Sequence, residues 1–366
     1  MFARRKGEIV PCDPARPQAA VIAQVTATLG QGGVIAFPTD TVYGLGCRAD
    51  AARAVRRIYA VKGRASHKPL VLLLRDAAAL PEAANNIPQY AQRLIKKFWP
   101  GPLTLVLPAS PQVARWKLDS RGTVGVRVVP SPLVAAIVAA AGVPLATTSA
   151  NPSGRRDSLS ALDVARTLAK PVDLILDGGP LPPAPPSAVV DCTGGAPVIL
   201  RKGVLTRSVL QQAAGAPVKL ASVDVLFVCT GNTCRSPMAE GWLRQSLPRE
   251  WRDKVRVHSC GTGALPGMPA TDSAVAAARR NGFRIDGHRA TLLTDSLLRQ
   301  ADLVVAMEER HRQAIRGLAP AAAPVLLCPD GVPDPIGQGD GEYQRTLELI
   351  KREMPDIVTL IREMIA

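Results

Sequence analysis

A cysteine followed closely by an arginine lies in residues 225–241, VLFVCTGNTCRSPMAEG. The apolar run at its start predicts a buried strand that ends at Cys229. Ser236 and the proline after it predict a helix start with Ser236 as the N-cap. Backbone N–H groups at such a turn bind anions, and a cysteine there, beside the guanidinium of Arg235, is expected to have a lowered pKa. These groups favour a covalent phosphoenzyme, whereas the alternative is a buried structural cysteine in an ordinary turn.

Residues 225–241 resemble the signature of the low-molecular-weight protein tyrosine phosphatases. The resemblance continues through ADLVVAM at 301–307 to an Asp-Pro dipeptide near the C-terminus. It implies that Cys229 is the nucleophile, that Arg235 holds the phosphoryl group and that Asp334 protonates the leaving group. The other residues of the implied phosphate loop are Thr230, Gly231, Asn232, Thr233, Cys234 and Ser236.

The same resemblance bears on the substrate, which would be a phosphorylated protein. Thr233 stands where tyrosine-specific members usually carry an aliphatic residue, and it resembles the branch that acts on phosphoarginine. Ile336 stands where tyrosine phosphatases often carry an aromatic residue. Phosphoarginine is therefore favoured over phosphotyrosine. The resemblance also implies that Asn232 shapes the loop and that Ser236 bonds the thiolate.

Cys234 lies in the same loop as Cys229. The family can form a reversible disulfide between these two positions, which would protect the nucleophile from over-oxidation. A plain loop residue is the alternative interpretation of Cys234.

The first half of the chain carries three polar segments. They are PTDTVYGLG at 38–46, KGR at 62–64 and ATTSANPSG at 146–154. Lys62 and Arg64 flank a glycine, which suits a polyphosphate because glycine lets the backbone approach closely. The hydroxyl and amide groups of the third segment suit phosphate or ribose oxygens. Taken singly, each segment is also consistent with an ordinary turn or a solvated helix end.

Together with FWPGPLTLVL, TVGVRV, PSAVVD and ILRKG, these segments resemble the YrdC/Sua5 family over about residues 21–203. That family makes threonylcarbamoyl-adenylate from L-threonine, bicarbonate and ATP, and the product feeds the threonylcarbamoyl modification of an adenosine in tRNA. The resemblance implies a twisted mixed sheet with helices. It also implies Mg²⁺ on the triphosphate, bound largely through nucleotide oxygens.

The resemblance assigns the site of the first half. The residues implied to hold the triphosphate and adenylate are Lys62, Arg64, Ser149 and Asn151. Those implied to bind threonine are Thr39, Arg127 and Ser187. Those implied to lie near the nucleotide and acyl-adenylate are Thr123, Thr147 and Arg201. No side-chain nucleophile is needed, because positioning and charge neutralisation carry this chemistry.

The elements that must position these residues divide the chain in two. We expect an α/β protein with a YrdC-like first domain at 1–214, a linker at 215–222 and a Rossmann-like parallel-sheet domain at 223–366. The segments with helical spacing are 19–29, 52–59, 133–146, 205–214, 273–281 and 347–365. The segments with strand patterns are 34–37, 68–74, 103–107, 123–128, 225–228 and 301–307.

The chain is strongly basic, with a net charge of +15 and a pI of about 10.0. Such an excess suggests nucleic acid or phosphorylated ligands, although a composition bias of the source accounts for it equally well. YrdC-like domains have a basic concave surface that can hold double-stranded RNA. A regulatory domain that binds double-stranded RNA or nucleotide, fused to an active phosphatase, is therefore the alternative to a synthase. Transfer RNA and other proteins of the modification pathway are the further partners to expect.

The sequence also indicates a cellular setting. Residues 1–8 lack the apolar core of a signal peptide, and the apolar stretch 133–146 is too short to span a bilayer. Seven cysteines without zinc spacing fit a reducing cytoplasm. We therefore expect a cytoplasmic protein with no membrane partner. His258, His288 and His311 are scattered, so no metal site is expected and each is interpreted as structural.

Overall fold

The computed structural model describes residues 7–116, 118, 121–168 and 170–366. The chain folds into two compact units, Met1–Val218 and Lys219–Ala366, and each is described by itself. Residues 1–6, which the sequence analysis assigns to the first domain, lie outside the described part. No helix within the described ranges is both long enough and apolar enough to cross a bilayer.

The first unit alternates strands with helices. Its strands are β1 (Glu8–Pro11), β2 (Ile35–Pro38), β3 (Tyr43–Arg48), β4 (Val71–Leu73), β5 (Leu103–Pro108), β6 (Thr123–Arg127), β7 (Leu145–Ser149), β8 (Leu174–Asp177), β9 (Ala188–Asp191) and β10 (Val198–Arg201). Its helices are α1 (Ala19–Gly30), α2 (Ala52–Lys62), α3 (Leu80–Ala83), α4 (Gln89–Phe98), α5 (Pro111–Ala114), α6 (Pro132–Ala141), α7 (Ala161–Thr167) and α8 (Arg207–Ala214).

The sheet of the first unit is mixed. Its neighbouring strands follow the order β1-β8-β2-β3-β7-β4-β6-β5-β9-β10. β4 and β6 run parallel, whereas β3 and β7 and also β5 and β6 run antiparallel. The prediction of a twisted mixed sheet with helices is confirmed. This order brings β3, β7, β4 and β6 together, although they are far apart in the chain.

Helices α1 and α6 form the core against this sheet. α1 buries Val21, Val25 and Leu29, which lie four residues apart and so share one face. α6 begins after Ser131, whose hydroxyl accepts a hydrogen bond from the N–H of Val134, and it ends at a glycine in the left-handed conformation. Both helices pack on apolar residues of the sheet strands. The predicted helix at 19–29 is confirmed.

The second unit is smaller. Its strands are β11 (Lys219–Leu220), β12 (Val223–Cys229), β13 (Val255–Gly261), β14 (Leu303–Ala306) and β15 (Val325–Leu326). Its helices are α9 (Arg235–Ser246), α10 (Asp272–Arg280), α11 (Asp295–Gln300), α12 (Glu309–Leu318) and α13 (Asp340–Met364).

The main sheet of the second unit has the order β13-β12-β14-β15, and all its neighbouring pairs are parallel. The predicted Rossmann-like parallel sheet is confirmed. After β12 the chain goes to one side of it to form β13 and later to the other side to form β14. In open α/β sheets, ligands bind at the carboxyl ends of strands where the connections diverge in this way. Cys229 is the last residue of β12, so the topology places it at this crevice.

Candidate active sites

A cavity of about 180 Å³ lies against the sheet of the first unit. The residues that line it belong to the loop after β2, to the central strands and to the loops before β9 and α7. The predicted ATP- and threonine-binding residues that line it are Thr39, Arg64, Arg127, Thr147, Ser149, Ser187 and Arg201.

Two predicted residues lie behind the lining. The ammonium of Lys62 donates to the carbonyl oxygen of Ser149 at 2.5 Å and to Oδ1 of Asn151 at 2.9 Å. The hydroxyl of Ser149 also donates to Oδ1 of Asn151 at 2.5 Å. Burial, and then the neighbouring Arg64, lower the pKa of Lys62 to about 8. Lys62 and Asn151 therefore fix the conformation of the serine that faces the cavity.

Thr123 is the predicted residue that the structure does not bring to this cavity. It is the first residue of β6, whereas Arg127 is the last. Four steps along a strand cover about 13 Å, so the two side chains lie at opposite ends of β6.

Arg127 is held in place by a buried ion pair. Its side chain is 8% exposed, and Nη2 lies 2.5 Å from Oδ1 of Asp40. Its Nε donates to the carbonyl oxygen of Gly101 at 3.0 Å. Asp40 was missed by the sequence analysis, although it lies beside Thr39 in the same segment. Arg127 also belongs to the lining of the cavity, where a guanidinium suits a carboxylate.

A second polar group surrounds Ser187. Its hydroxyl lies 3.1 Å from that of Thr104, and Nη2 of Arg201 donates to it at 3.0 Å. The Nε of Arg64 is buried and has no hydrogen-bond partner among the described residues. Three guanidinium groups thus meet hydroxyl groups at one cavity. This arrangement suits a polyanion such as a nucleotide triphosphate.

The second site is the loop between β12 and α9. The N–H of Asn232 donates to Sγ of Cys229 at 3.2 Å, and Sγ lies 2.9 Å from the hydroxyl of Ser236. Asn232 has a φ of 54°, in the left-handed region that asparagine tolerates. Its side-chain amide donates to the hydroxyls of Ser236 and Ser259 at 2.9 and 2.8 Å, and Oδ1 accepts from Thr291. One buried asparagine therefore joins the loop to the neighbouring strand and segment.

The predicted helix start is wrong by two residues, because Ser236 was expected to be the N-cap. α9 begins at Arg235, and its N-cap is Cys234, which makes no side-chain capping bond. Ser236 does not cap the helix because its hydroxyl contacts Cys229 and Asn232 instead. Arg235 consequently lies in the first turn of the helix, directly below the loop.

The guanidinium of Arg235 is 1% exposed and is held by two carboxylates. It forms ion pairs with Glu308 and with Asp334, and Nη1 donates to the carbonyl oxygen of Val332 at 3.0 Å. Asp334, 99 residues away in the chain, is thus brought beside the loop. Glu308 was not predicted from the sequence, although it follows the predicted strand at 301–307 and so lies at the same sheet edge.

The expectation of a lowered pKa for Cys229 is wrong for this arrangement. Burial raises the pKa of the thiol, and this effect exceeds the lowering by Ser236, by Arg235 and by the N–H of Asn232. The thiol is 2% exposed, and the guanidinium that should stabilise the thiolate is paired with two carboxylates. The positive charge near the sulfur is therefore largely neutralised.

Two histidines support the loop from outside. Nε2 of His311 lies 2.8 Å from Oγ1 of Thr230, and Nε2 of His288 lies 2.7 Å from the carbonyl oxygen of Asn232. Burial, together with Arg235 and Arg310, lowers the pKa of His311 to about 4. No local pattern marks these contacts, because only the fold brings the histidines to the loop.

The remaining loop residues face in different directions. Gly231 and Thr233 are half-buried, whereas Cys234 is buried with Sγ 3.5 Å from the hydroxyl of Tyr343 and 3.6 Å from that of Thr271. Cys229 and Cys234 are both free thiols.

The fold and the two sites define a protein with two phosphate-handling α/β domains. One carries a cavity lined by arginines and hydroxyls, and the other carries a cysteine-arginine loop at the end of a central parallel strand. Residues 27–203 match the Sua5, YciO and YrdC family model, described as telomere recombination. Residues 224–365 match the family of low molecular weight phosphotyrosine protein phosphatases.

Individual relatives agree with these matches. The chain is 39% identical over 195 residues to the threonylcarbamoyl-AMP synthase of Bacillus subtilis, covering 53% of this chain and 56% of that protein. It is 40% identical over 157 residues to the threonylcarbamoyl-AMP synthase of Halorhodospira halophila, covering 43% of this chain and 82% of that protein. It is similar to the crystal structure of Escherichia coli YciO, with a TM-score of 0.50 and 32% identity over 54% of this chain and 96% of that one.

The chain spans about half the length of the Bacillus subtilis relative. It belongs to the Sua5/YciO/YrdC family through its first domain, and its second domain is a low-molecular-weight phosphotyrosine protein phosphatase domain.

Proposed function

We propose that the first domain forms L-threonylcarbamoyladenylate from L-threonine, bicarbonate and ATP. The observation that carries this proposal is the convergence of Arg64, Arg127 and Arg201 on one cavity lined by hydroxyl groups. Arg64, with Lys62 behind it, holds the triphosphate, and Arg127 holds the threonine carboxylate. The similarity to threonylcarbamoyl-AMP synthases supports this assignment.

The reaction needs no protein nucleophile. The threonine amine and bicarbonate give a carbamate with loss of water, and a carbamate oxygen then attacks the α-phosphorus while the bond to pyrophosphate breaks. The arginines neutralise charge that develops on the phosphoryl oxygens. The buried ion pair between Arg127 and Asp40 fixes the threonine end without reorganisation during the reaction.

Mg²⁺ fits this site as a partner of the nucleotide. Within the described ranges, no group of three or more histidine, cysteine, aspartate or glutamate residues is placed to hold a metal ion. Mg²⁺ would be held mainly by the nucleotide, and it would supply charge neutralisation for the leaving pyrophosphate.

A pyrophosphate-release assay tests the synthase. The native protein should release pyrophosphate from ATP only when L-threonine and bicarbonate are both present. Release that ignores threonine, or binding of double-stranded RNA without any release, would contradict the proposal and favour a nucleic-acid-binding domain. We place this activity in the cytoplasm, with tRNA and other proteins of the same modification pathway as partners that use the product.

We propose that the second domain hydrolyses phosphorylated protein through a cysteinyl-phosphate intermediate. The observation that carries this proposal is the buried thiol of Cys229 at the start of the loop that leads to Arg235, whose guanidinium pairs with Asp334. The thiol proton passes to the carboxylate of Asp334, the sulfur attacks phosphorus, the bond to the leaving group breaks, and Asp334 gives that proton to the leaving atom. Water then attacks phosphorus, the S–P bond breaks and phosphate departs. The substrate phosphoryl group takes the place of the carboxylates on Arg235, which restores the positive charge next to the sulfur.

We further propose that phosphoarginine is preferred over phosphotyrosine. Thr233 places a hydroxyl on the loop, and Ile336 leaves the entrance without an aromatic ring after Asp334-Pro335. The native protein and Thr233→Ile should be assayed side by side on peptides carrying each phospho-residue. We expect the native protein to prefer phosphoarginine and the variant to shift toward phosphotyrosine. A native preference for phosphotyrosine would contradict the assignment.

A further inference from the structure

A cavity of about 670 Å³ in the second domain lies between α9, β13 and residues 283–291, and we call it the basic cavity. Cys229, Arg235 and Asp334 do not line it, so it is separate from the phosphate loop. Its volume is within the range of small-molecule sites in proteins. Neither proposed reaction uses it.

The charged groups of the basic cavity favour an anion. The cationic and imidazole side chains that line it are Arg244, Arg284, Arg289, His258 and His288. Of the described residues that line it, Glu240 is the acidic one, and it pairs with Arg244 at 2.7 Å. Arg284 is 80% exposed and pairs with Asp286 at 3.1 Å, outside the lining. The guanidinium groups of Arg284 and Arg289 lie at the surface, where they can reorient toward phosphate oxygens.

Part of the lining of the basic cavity is apolar. Phe283, Ile285 and Pro237 contribute to it beside the arginines. A ligand that carries both phosphate groups and a flat, weakly polar ring fits both kinds of lining. A nucleotide has this combination, and the volume accommodates it.

A chain of hydrogen bonds joins the basic cavity to the nucleophile. Arg244 pairs with Glu240, and the hydroxyl of Ser259 donates to the other oxygen of Glu240 at 2.5 Å. The side-chain amide of Asn232 donates to Ser259 at 2.8 Å and to Ser236 at 2.9 Å. The hydroxyl of Ser236 lies 2.9 Å from the sulfur of Cys229. A change in the charge or position of Glu240 can therefore affect the thiol of Cys229 through a continuous series of hydrogen bonds.

We propose that the basic cavity binds a nucleotide and that this binding slows the phosphatase site. Phosphate groups compete with Glu240 for Arg244. Glu240 has a side chain that is 12% exposed, so it then becomes an unpaired, poorly solvated carboxylate at one end of the hydrogen-bond chain. This added negative charge opposes the ionised sulfur that the reaction needs. The inference rests on the proposed phosphatase activity.

Phosphatase kinetics with and without ATP test the inference. The full chain should show kcat lowered by about fivefold or more at saturating ATP. The variant Arg284→Gln/Arg289→Gln should keep its turnover without ATP and lose this response. The matched control is Arg299→Gln/Arg352→Gln, which removes two similarly exposed, ion-paired arginines away from the cavity and should respond like the native protein.

Three outcomes would overturn the inference. A change in KM alone would indicate competition at the phosphate loop. A response retained in Arg284→Gln/Arg289→Gln would place the ATP effect elsewhere, including the first domain. Pyrophosphate acting on kcat as strongly as ATP would show that the ring contributes nothing and that the ligand is not a nucleotide.

Equilibrium dialysis with ATP separates this inference from the proposed activity. Loss of the two arginines should weaken one class of ATP site by about tenfold. Suppose that the native protein binds ATP at this site without any phosphatase turnover and that the variant loses this binding. The proposed reaction would then be wrong, whereas nucleotide binding at the cavity would be supported. Unchanged ATP binding in the variant would overturn the cavity itself.

Discussion

Arg235 is the central residue of the second domain, because its ion pairs join the loop between β12 and α9 to the carboxylates of Glu308 and Asp334. Its guanidinium is shared between Glu308 and Asp334 beneath a thiol whose pKa burial raises. The geometry therefore pairs a cation neutralised by carboxylates with a buried thiol, and we propose that a phosphoryl group exchanges with the carboxylates.

The pH dependence of stability should report His311. Burial holds the pKa of this residue at about 4, below its ordinary 6.5. The unfolded chain therefore binds more protons, and stability is lost as the pH falls from about 6.5 toward about 4. At about pH 5, His311 should cost the second domain about 1–2 kcal/mol.

Denaturant unfolding at a series of pH values measures this slope. His311→Gln should flatten it, whereas His67→Gln, on an exposed loop of the first domain, should leave it unchanged. A native protein with equal stability at about pH 7 and about pH 5 would contradict a buried neutral histidine at this position.

At the scale of elements, strands and helices with strong apolar periodicity could be predicted from the sequence. The strand predicted at residues 225–228 is confirmed. It could be predicted because these residues are apolar on both faces, as a central parallel strand requires. The start of α9 could not be placed, because Ser236 carries the N-cap residue type but bonds the thiol. Asp40 and Glu308 could not be predicted as site residues either, since their ion pairs join segments that only the tertiary fold brings together.

The packing of α9 can be tested at Gly241. A Cβ there would lie 2.7 Å from Ile285 and 2.8 Å from Phe283, closer than real contacts allow. Gly241→Ala should therefore destabilise the second domain by about 1 kcal/mol or more, despite the better helix propensity of alanine.

Gly317 in α12 is the matched control. A Cβ at this position would meet no heavy atom within 4 Å among the described residues. Gly317→Ala should stabilise the domain by about 0.5–1 kcal/mol. The two variants should shift the urea midpoint in opposite directions, and a shift in the same direction would show that α9 is not packed tightly at Gly241.

At the scale of the molecule, the chain joins two domains that each have their own sheet and core and a proposed phosphate-binding site. The contacts divide the chain after Val218, inside the segment predicted as a linker. The two families were recognisable from sequence because their motifs lie in chain order. The sequence could not reveal the hydrogen-bond chain from Arg244 to Cys229, because α9, β13 and the loop meet only in the folded domain.

The proposed function requires two separate catalytic sites on one chain. Measuring both activities on one pair of variants tests this requirement most directly. Cys229→Ser keeps the shape of the loop but removes the nucleophile, and Lys62→Met keeps most of the side-chain volume but removes the cation behind Ser149. Cys229→Ser should lose phosphatase turnover and retain pyrophosphate release that depends on threonine and bicarbonate, and Lys62→Met should show the reverse. A folded variant that loses both activities, or a native protein that lacks either one, would contradict the account.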